Sequence, residues 1–164
     1  RVVQLLAPHC KQIAIAGSIR RQKAEVKDIE IVAIPEEYDT GIFGYGLATI
    51  VEEWEKVKGD LVYGKTRYTQ RILPEGIKLD LFFADEDNWG LIYAIRTGSA
   101  EYSHHVLAKT WVRLGYKSVD GYLTREGMRI PVPSESHLFN MLGIPWILPR
   151  EREHVAEHIK EWGY

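Results

Sequence analysis

GSIRRQKAEVKDIEIV, running from Gly17 to Val32, is the stretch on which the reading of this sequence turns. It ends in an apolar run, Ile29 to Ile34, that carries Asp28 and Glu30 at its start and is stopped by Pro35. In a strand, residues two apart leave the same face, so the two carboxylates project side by side. After its acidic start the run is apolar on both faces, the pattern of a central strand covered on both sides. Paired acids on such a strand repel one another, and the arrangement calls for a positive charge between them.

A third acid follows in Lys78-Leu79-Asp80-Leu81-Phe82-Phe83. Leu79, Leu81 and Phe83 share one face of a strand, which leaves Asp80 on the other. If that strand lies beside the one bearing Asp28 and Glu30, three acids converge, and mutual repulsion raises at least one pKa unless a counter-ion is present. Mg²⁺ is the hard cation that carboxylate and phosphate oxygens favour, and two such ions can bind the attacking and leaving oxygens of a phosphoryl transfer. Gly17-Ser18 adds a close-approach backbone, free amides and a hydroxyl for phosphates. Arg20 and Arg21 add planar donors suited to phosphate oxygens.

The rest of the chain frames these residues. With 164 residues, 45% of them apolar, the chain can build a core as one large or two small domains. A formal net charge of −2 argues against a protein that grips nucleic acid by charge alone. The single cysteine, Cys10, excludes an internal disulfide and a multi-cysteine zinc site. With no 18-residue apolar run and no signal-peptide pattern, the sequence reads as a cytoplasmic, non-membrane protein and a monomer.

Val2–Gln12 is expected as a helix interrupted near Pro8, and Ile13–Ala16 as a short strand. Residues 36–46 form a Gly/Asp-rich loop. Leu47, Ile50, Val51, Trp54 and Val57 recur at helical spacing and predict a helix over 46–58 ended by Gly59. Leu61–Tyr63, Arg67–Leu73 and Ile77–Ala84 read as strands. Beyond Asp87 come helices over Trp89–Arg96 and Ala100–Leu114, a hairpin turning at Asp120-Gly121, a helix to Leu142 capped by Ser134, and a solvated helix over Glu151–Glu161. The boundary is drawn at 87: a fold of the α/β (α+β) class over 1–87, then a helix-plus-hairpin domain over 88–164.

Gly17-Ser18-x-Arg20-Arg21, Asp28-x-Glu30 and Asp80 together resemble the nucleotidyltransferase superfamily, and more narrowly the family X DNA polymerases of the polymerase beta type. Gly64-Lys65-Thr66-Arg67-Tyr68 resembles that family's Gly-x-Thr-Lys strand, and Thr97-Gly98-Ser99 its Thr-Gly-Ser turn. Leu138-Phe139-x-x-Leu142-Gly143-Ile144-Pro145-Trp146-Ile147-x-Pro149-x-x-Arg152-Glu153 resembles its thumb ending. The resemblance implies a palm of mixed sheet and helices over 1–87, a thumb over 88–164, and two Mg²⁺ (with Mn²⁺ able to substitute) on Asp28, Glu30 and Asp80. Asp80 would activate the attacking 3′-hydroxyl. Gly17, Ser18 and Arg21 would hold the triphosphate, Gly98 would lie near the nucleotide, and Thr66 and Arg67 would touch a nucleic-acid phosphate. The implied activity is DNA-directed DNA polymerisation of the repair type on primer-template or gapped DNA.

The sequence departs from the family at four places. Glu30 stands where these polymerases have Asp. Lys27 stands where Gly is common, beside the expected phosphates, and joins the nucleotide-binding candidates. The family's upstream lyase and helix-hairpin-helix modules are not represented, so DNA binding is expected to be weak and steeply salt-dependent. Ile95-Arg96 replaces the aromatic pair before Thr97.

Two other readings stay open: transfer of a nucleotide to RNA, a protein or a small molecule, and a non-catalytic binding module. The thumb signature weighs against the first, and retention of all three acids with Ser18 and Arg21 against the second. His104-His105, adjacent on a helix, point about 100° apart and make a poor chelate. Cys10 and Trp89, Trp111, Trp146 and Trp162 read as packing residues. Without the aromatic pair, sugar discrimination should be weak. Comparable incorporation of dCTP and rCTP is the expected result, and a preference of about a thousandfold or more contradicts it.

Overall fold

The computed structural model describes residues 1–36, 46–59 and 68–161. The strand expected at Leu61–Tyr63, Arg67 at the start of the next, most of the Gly/Asp loop and Trp162 lie outside the described residues. Among the described residues no helix is long and apolar enough to cross a membrane.

The first 83 residues supply a five-stranded mixed sheet with flanking helices. Helix α1 (Val2–Leu6) runs through a short 3₁₀ turn, Ala7–His9, into strand β1 (Cys10–Ile15), followed by α2 (Gly17–Arg20) and β2 (Asp28–Pro35). Then come α3 (Leu47–Glu52), β3 (Glu55–Gly59), β4 (Tyr68–Ile72) and β5 (Lys78–Phe83). The strand order is β1-β2-β5-β4-β3. Among the described residues only β2 and β5 pair in parallel; β1, β4 and β3 join antiparallel.

The alternation read in β2 and β5 holds in space. Ile31, Ala33, Leu79 and Leu81 pack against Leu6, Leu47 and Val51 on one face of the sheet. Val32, Ile34 and Phe82 pack on the other against Trp89 and Ile92 of α4 (Trp89–Thr97). Asp28, Glu30 and Asp80 have the parity of this second face and continue it past the apolar part.

Two expectations fail where tertiary pairing overrides local pattern. The helix over 46–58 ends at Glu52, and β3 follows. Leu47 and Val51 reach the core, but Val57 is exposed. An edge ladder to β4 and a hydrogen bond from Arg71 to the Trp54 carbonyl (3.1 Å) take the chain out of the helix. The first helix likewise stops early, because β1 pairs with β2 as far back as Cys10 opposite Pro35.

Residues 89–161 add α4, a helical run from Ala100 to Arg113, a three-stranded sheet and two helices. The run comprises α5 (Ala100–Tyr102), a π-helical segment Ser103–Ala108, and α6 (Lys109–Arg113). The sheet is β6 (Lys117–Val119), β7 (Tyr122–Arg125) and β8 (Met128–Ile130). Strand β8 escapes the sequence reading because its turn is Glu126-Gly127. Its positive φ angles of 52° and 78° nonetheless match those of Asp120-Gly121, 53° and 83°. Helix α7 (Glu135–Leu142) is capped by Ser134, whose hydroxyl accepts from the His137 amide (3.1 Å). Helix α8 is Pro149–Glu161. A third apolar core joins Leu107, Trp111, Leu123, Leu138, Phe139 and Ala156.

Helix α4 links both parts. Its Gly90 amide donates to the Val132 carbonyl (2.8 Å), and a Cβ on Gly90 would come within 2.1 Å of the Ser134 carbonyl oxygen. Backbone offers no room to yield there. Gly90→Ala should therefore lower stability by about 1–3 kcal/mol, measured by urea denaturation followed by tryptophan fluorescence.

Candidate active site

The site grows from the register of β2 and β5. Asp28 lies opposite Lys78, and Glu30 opposite Asp80. The two strands expected to be neighbours are neighbours, with the three acidic positions on one face of the sheet. Asp80 is buried, and two side chains of β4 hold it: the Tyr68 hydroxyl and the Gln70 amide (2.8 Å) both donate to its Oδ1. Burial first, then the bond to Asp80, pushes the Tyr68 phenol well above its ordinary pKa, so it stays a donor. Neither partner was visible in the sequence, because β4 had to be placed beside β5 before positions 68 and 70 could be paired with 80.

Glu30 is the strained acid. Desolvation raises its pKa first and the Asp80 charge second; Arg21 and Arg96 oppose them, and Asp28 adds a smaller upward push. Its carboxylate lies against the Gly17 backbone. A Cβ on Gly17 would fall 1.8 Å from Glu30 Oε2, and Gly17 has φ +62°, so only glycine fits the turn between β1 and the acids. The chain is fastened there by the Ala16 amide donating to the Glu30 carbonyl (2.8 Å).

An open cleft of about 1220 Å³ adjoins these residues. Its lining includes Ser18, Arg21, Lys27, Asp28 and Glu30 together with Arg96, Gly98, His104 and Arg150. The cleft thus gathers six of the candidate residues. Asp80 is not among its lining residues, and Thr66 and Arg67 lie outside the described residues. Arg21 donates to the Thr97 carbonyl (2.6 Å), while its Nε is buried with no hydrogen-bond partner among the described residues. Gly98, at φ +70°, brings its Cα so near that a Cβ would sit 3.0 Å from the Arg21 guanidinium. Lys23 and Glu153 form an ion pair across the cleft (2.7 Å), exposed enough to be weak.

Arg96 takes a position that the sequence did not assign. Its guanidinium lies 4.2 Å over the Phe82 ring, and desolvation lowers its pKa while Glu30, Tyr68 and Asp80 oppose the shift. It is a cation within the electrostatic reach of the acids. Among the described residues no group of three or more His, Cys, Asp or Glu side chains is disposed to hold a metal ion. The three carboxylates share a face without closing on one point. Their oxygen donors and the desolvated Glu30 suit Mg²⁺ chemically, but Asp80 Oδ1 is already engaged by Tyr68 and Gln70.

Arg20 corrects the sequence reading. It is no phosphate donor: both terminal nitrogens bond Glu135 (2.7 and 2.6 Å), one also reaches the Thr97 hydroxyl (2.7 Å), and its guanidinium covers the Tyr93 ring at 3.8 Å. Glu135 also accepts from Arg152 (3.0 Å) and from the Trp146 indole (3.1 Å). Arg152 is fully buried, so α8 is solvated on one face and not all round as its mixed charges suggested. Burial works to raise the Glu135 pKa, but the bonds and charges of Arg20 and Arg152 bring it down to about 2.

No protein-family model matches the chain, and no curated protein matches it.

Because the folded Glu135 pKa lies below the unfolded value of 4.5, its contribution is whole above that pH and is lost as pH falls toward 2. Glu135→Gln should cost about 3–5 kcal/mol at neutral pH, since the fully buried Arg152 and the partly buried Arg20 lose their counter-charge. Between about pH 5 and pH 2 the wild type should lose more stability than the variant. Denaturant titrations across that range check both.

Proposed function

We propose that this chain is a nucleotidyltransferase that joins a nucleoside triphosphate to the 3′-hydroxyl of a DNA primer paired to a template, releasing pyrophosphate. In this reading residues 1–87 act as the palm and 88–164 as the thumb, as the resemblance to family X polymerases implies. The observation that carries it is the parallel register setting Glu30 opposite Asp80, with Asp28 on the same face, beside a cleft that holds Ser18, Arg21 and Gly98.

Asp28, Glu30 and Asp80 would hold Mg²⁺, with Mn²⁺ as a substitute. Bound there, the cation supplies charge that offsets the build-up on phosphoryl oxygens and eases ionisation of the attacking hydroxyl. The chain's own residues do the rest. Arg21 lines the cleft, and beyond the nitrogen that bonds the Thr97 carbonyl its guanidinium has donors for a phosphate oxygen. Ser18 adds a hydroxyl to the lining of the same cleft, and Lys27 adds an exposed charge. Tyr68 and Gln70 fix Asp80 through Oδ1, leaving Oδ2 to take the 3′-hydroxyl proton. The new bond joins that oxygen to the α-phosphorus, and the bond to pyrophosphate breaks with its electron pair leaving on the pyrophosphate oxygen. Positioning and electrostatics carry such a reaction.

A second reading keeps the chemistry and changes the acceptor to RNA, a protein or a small molecule. The net charge of −2 favours it, as does the presence of Glu25 and Glu153 among the cations of the cleft.

Primer extension on one-nucleotide gapped DNA with Mg²⁺ tests the proposal. Template-matched addition is expected, with Asp80→Ala lowering the rate by at least about a thousandfold through loss of an acid that acts on the reacting atoms. Absence of extension, with nucleotide binding intact, would move the acceptor away from DNA.

A further inference from the structure

The six histidines of the chain include one pair that the nucleotidyl-transfer reading leaves unused. His154 and His158 are four residues apart on α8, the spacing that sets two side chains on one helix face. Both are exposed, while Arg152 and Ala156 bury the opposite side of the helix. Their rings meet edge to face with centroids 4.4 Å apart, and the two Nε2 atoms are 3.0 Å from each other.

That separation has a chemical meaning. Two imidazole–metal bonds of about 2.0–2.1 Å, closing at an angle between square and tetrahedral, hold their nitrogens about 2.9–3.4 Å apart. The pair therefore already has the bite of a bidentate ligand, with no change of backbone. In the metal-free pair, one ring donates its Nε2 proton to the lone pair of the other. Moving that proton to the donor's own Nδ1 leaves a lone pair on both Nε2 atoms, and rotation of the exposed rings aims the two at one ion, with no change in net charge. His104 and His105 also meet edge to face, with centroids 4.8 Å apart, but they lie one residue apart, about 100° around the helix axis, and not one above the other on a single face.

We propose that His154 and His158 form a binding site for one borderline transition-metal ion, of the Cu²⁺, Ni²⁺ or Zn²⁺ class. Imidazole suits these ions, and Cu²⁺ binds tightest among them. Mg²⁺ demands oxygen ligands and does not compete here. Among the described residues no third His, Cys, Asp or Glu completes a ligand set. The site is separate in its residues and donor chemistry from the carboxylates of β2 and β5.

The test titrates the full chain with CuCl₂ and ZnCl₂ in a non-chelating buffer by calorimetry, with electron paramagnetic resonance of the Cu²⁺ form. The expected result is one ion per chain with two nitrogen ligands, undisturbed by excess Mg²⁺. His154→Ala and His158→Ala should each weaken binding by at least about tenfold, because a chelate is reduced to a single imidazole. His104→Ala should leave it unchanged. Both pair substitutions fall on an exposed face, and circular dichroism checks that each variant keeps its fold. Undiminished binding in His158→Ala, loss of binding in His104→Ala, or wild-type binding no tighter than that of His158→Ala would overturn the proposal.

Discussion

Glu135 receives two guanidinium groups from distant parts of the sequence, Arg20 at the end of α2 and Arg152 at the start of α8. The rest of the arrangement leans on this contact. Arg20 sits three residues after Gly17, so anchoring it fixes the turn against which the Glu30 carboxylate rests. Arg20 also bonds the Thr97 hydroxyl, and its neighbour Arg21 bonds the Thr97 carbonyl. The end of α4 and the first turn after β1 are thereby held together by adjacent arginines. Arg152 closes the other side through the Ile147 carbonyl (3.1 Å). A buried charge set of this kind is costly to desolvate and stabilises only when every member is satisfied. Glu135 accepts from Arg20, Arg152 and Trp146, which meets that condition.

The acids of β2 and β5 are the opposite case. Asp28, Glu30 and Asp80 share a face with Arg21 and Arg96 as the nearby opposing charges. Glu30 remains desolvated and raised in pKa despite both. Local rules of sheet stability give no reason to place like charges in register on adjacent strands, and conflicts of that sort concentrate where a protein binds something. Arg96 acts as a partial counter-charge, seated on the Phe82 ring.

Much of this was legible in the sequence, for reasons that differ by element. Strands β2 and β5 declared themselves through alternation and the stop at Pro35; their adjacency was a supposition in sequence, and the parallel register supplies it. The cap at Ser134 was readable because its chemistry is local. The roles of Arg20, Glu135 and Arg152 were not readable, because a buried ionic network is a property of packing. In sequence, Arg152 is one charge in a run of mixed charges. The end of α3 was hidden for a related reason: Val57 fits a helical period, and only the ladder to β4 shows that residues 55–59 are an edge strand. Strand β8 was hidden because a glutamate occupies a left-handed turn position where asparagine or aspartate would have signalled it.

The parallel pairing of β2 with β5 has a kinetic side. Glu30 and Asp80 are fifty residues apart in sequence, and β4, which supplies Tyr68 and Gln70, must seat against β5 before Asp80 is held. Closing a loop of that size costs entropy before any contact rewards it, and parallel pairings are slow for this reason. The apolar contacts of Ile31 and Ala33 with Leu79 and Leu81 must therefore drive the strands together against the repulsion of the acids beside them. The charged face is assembled by its uncharged reverse. A chain in which that side forms poorly would lose the acidic site first, while β6–β8, whose ladders are local, could still be in place.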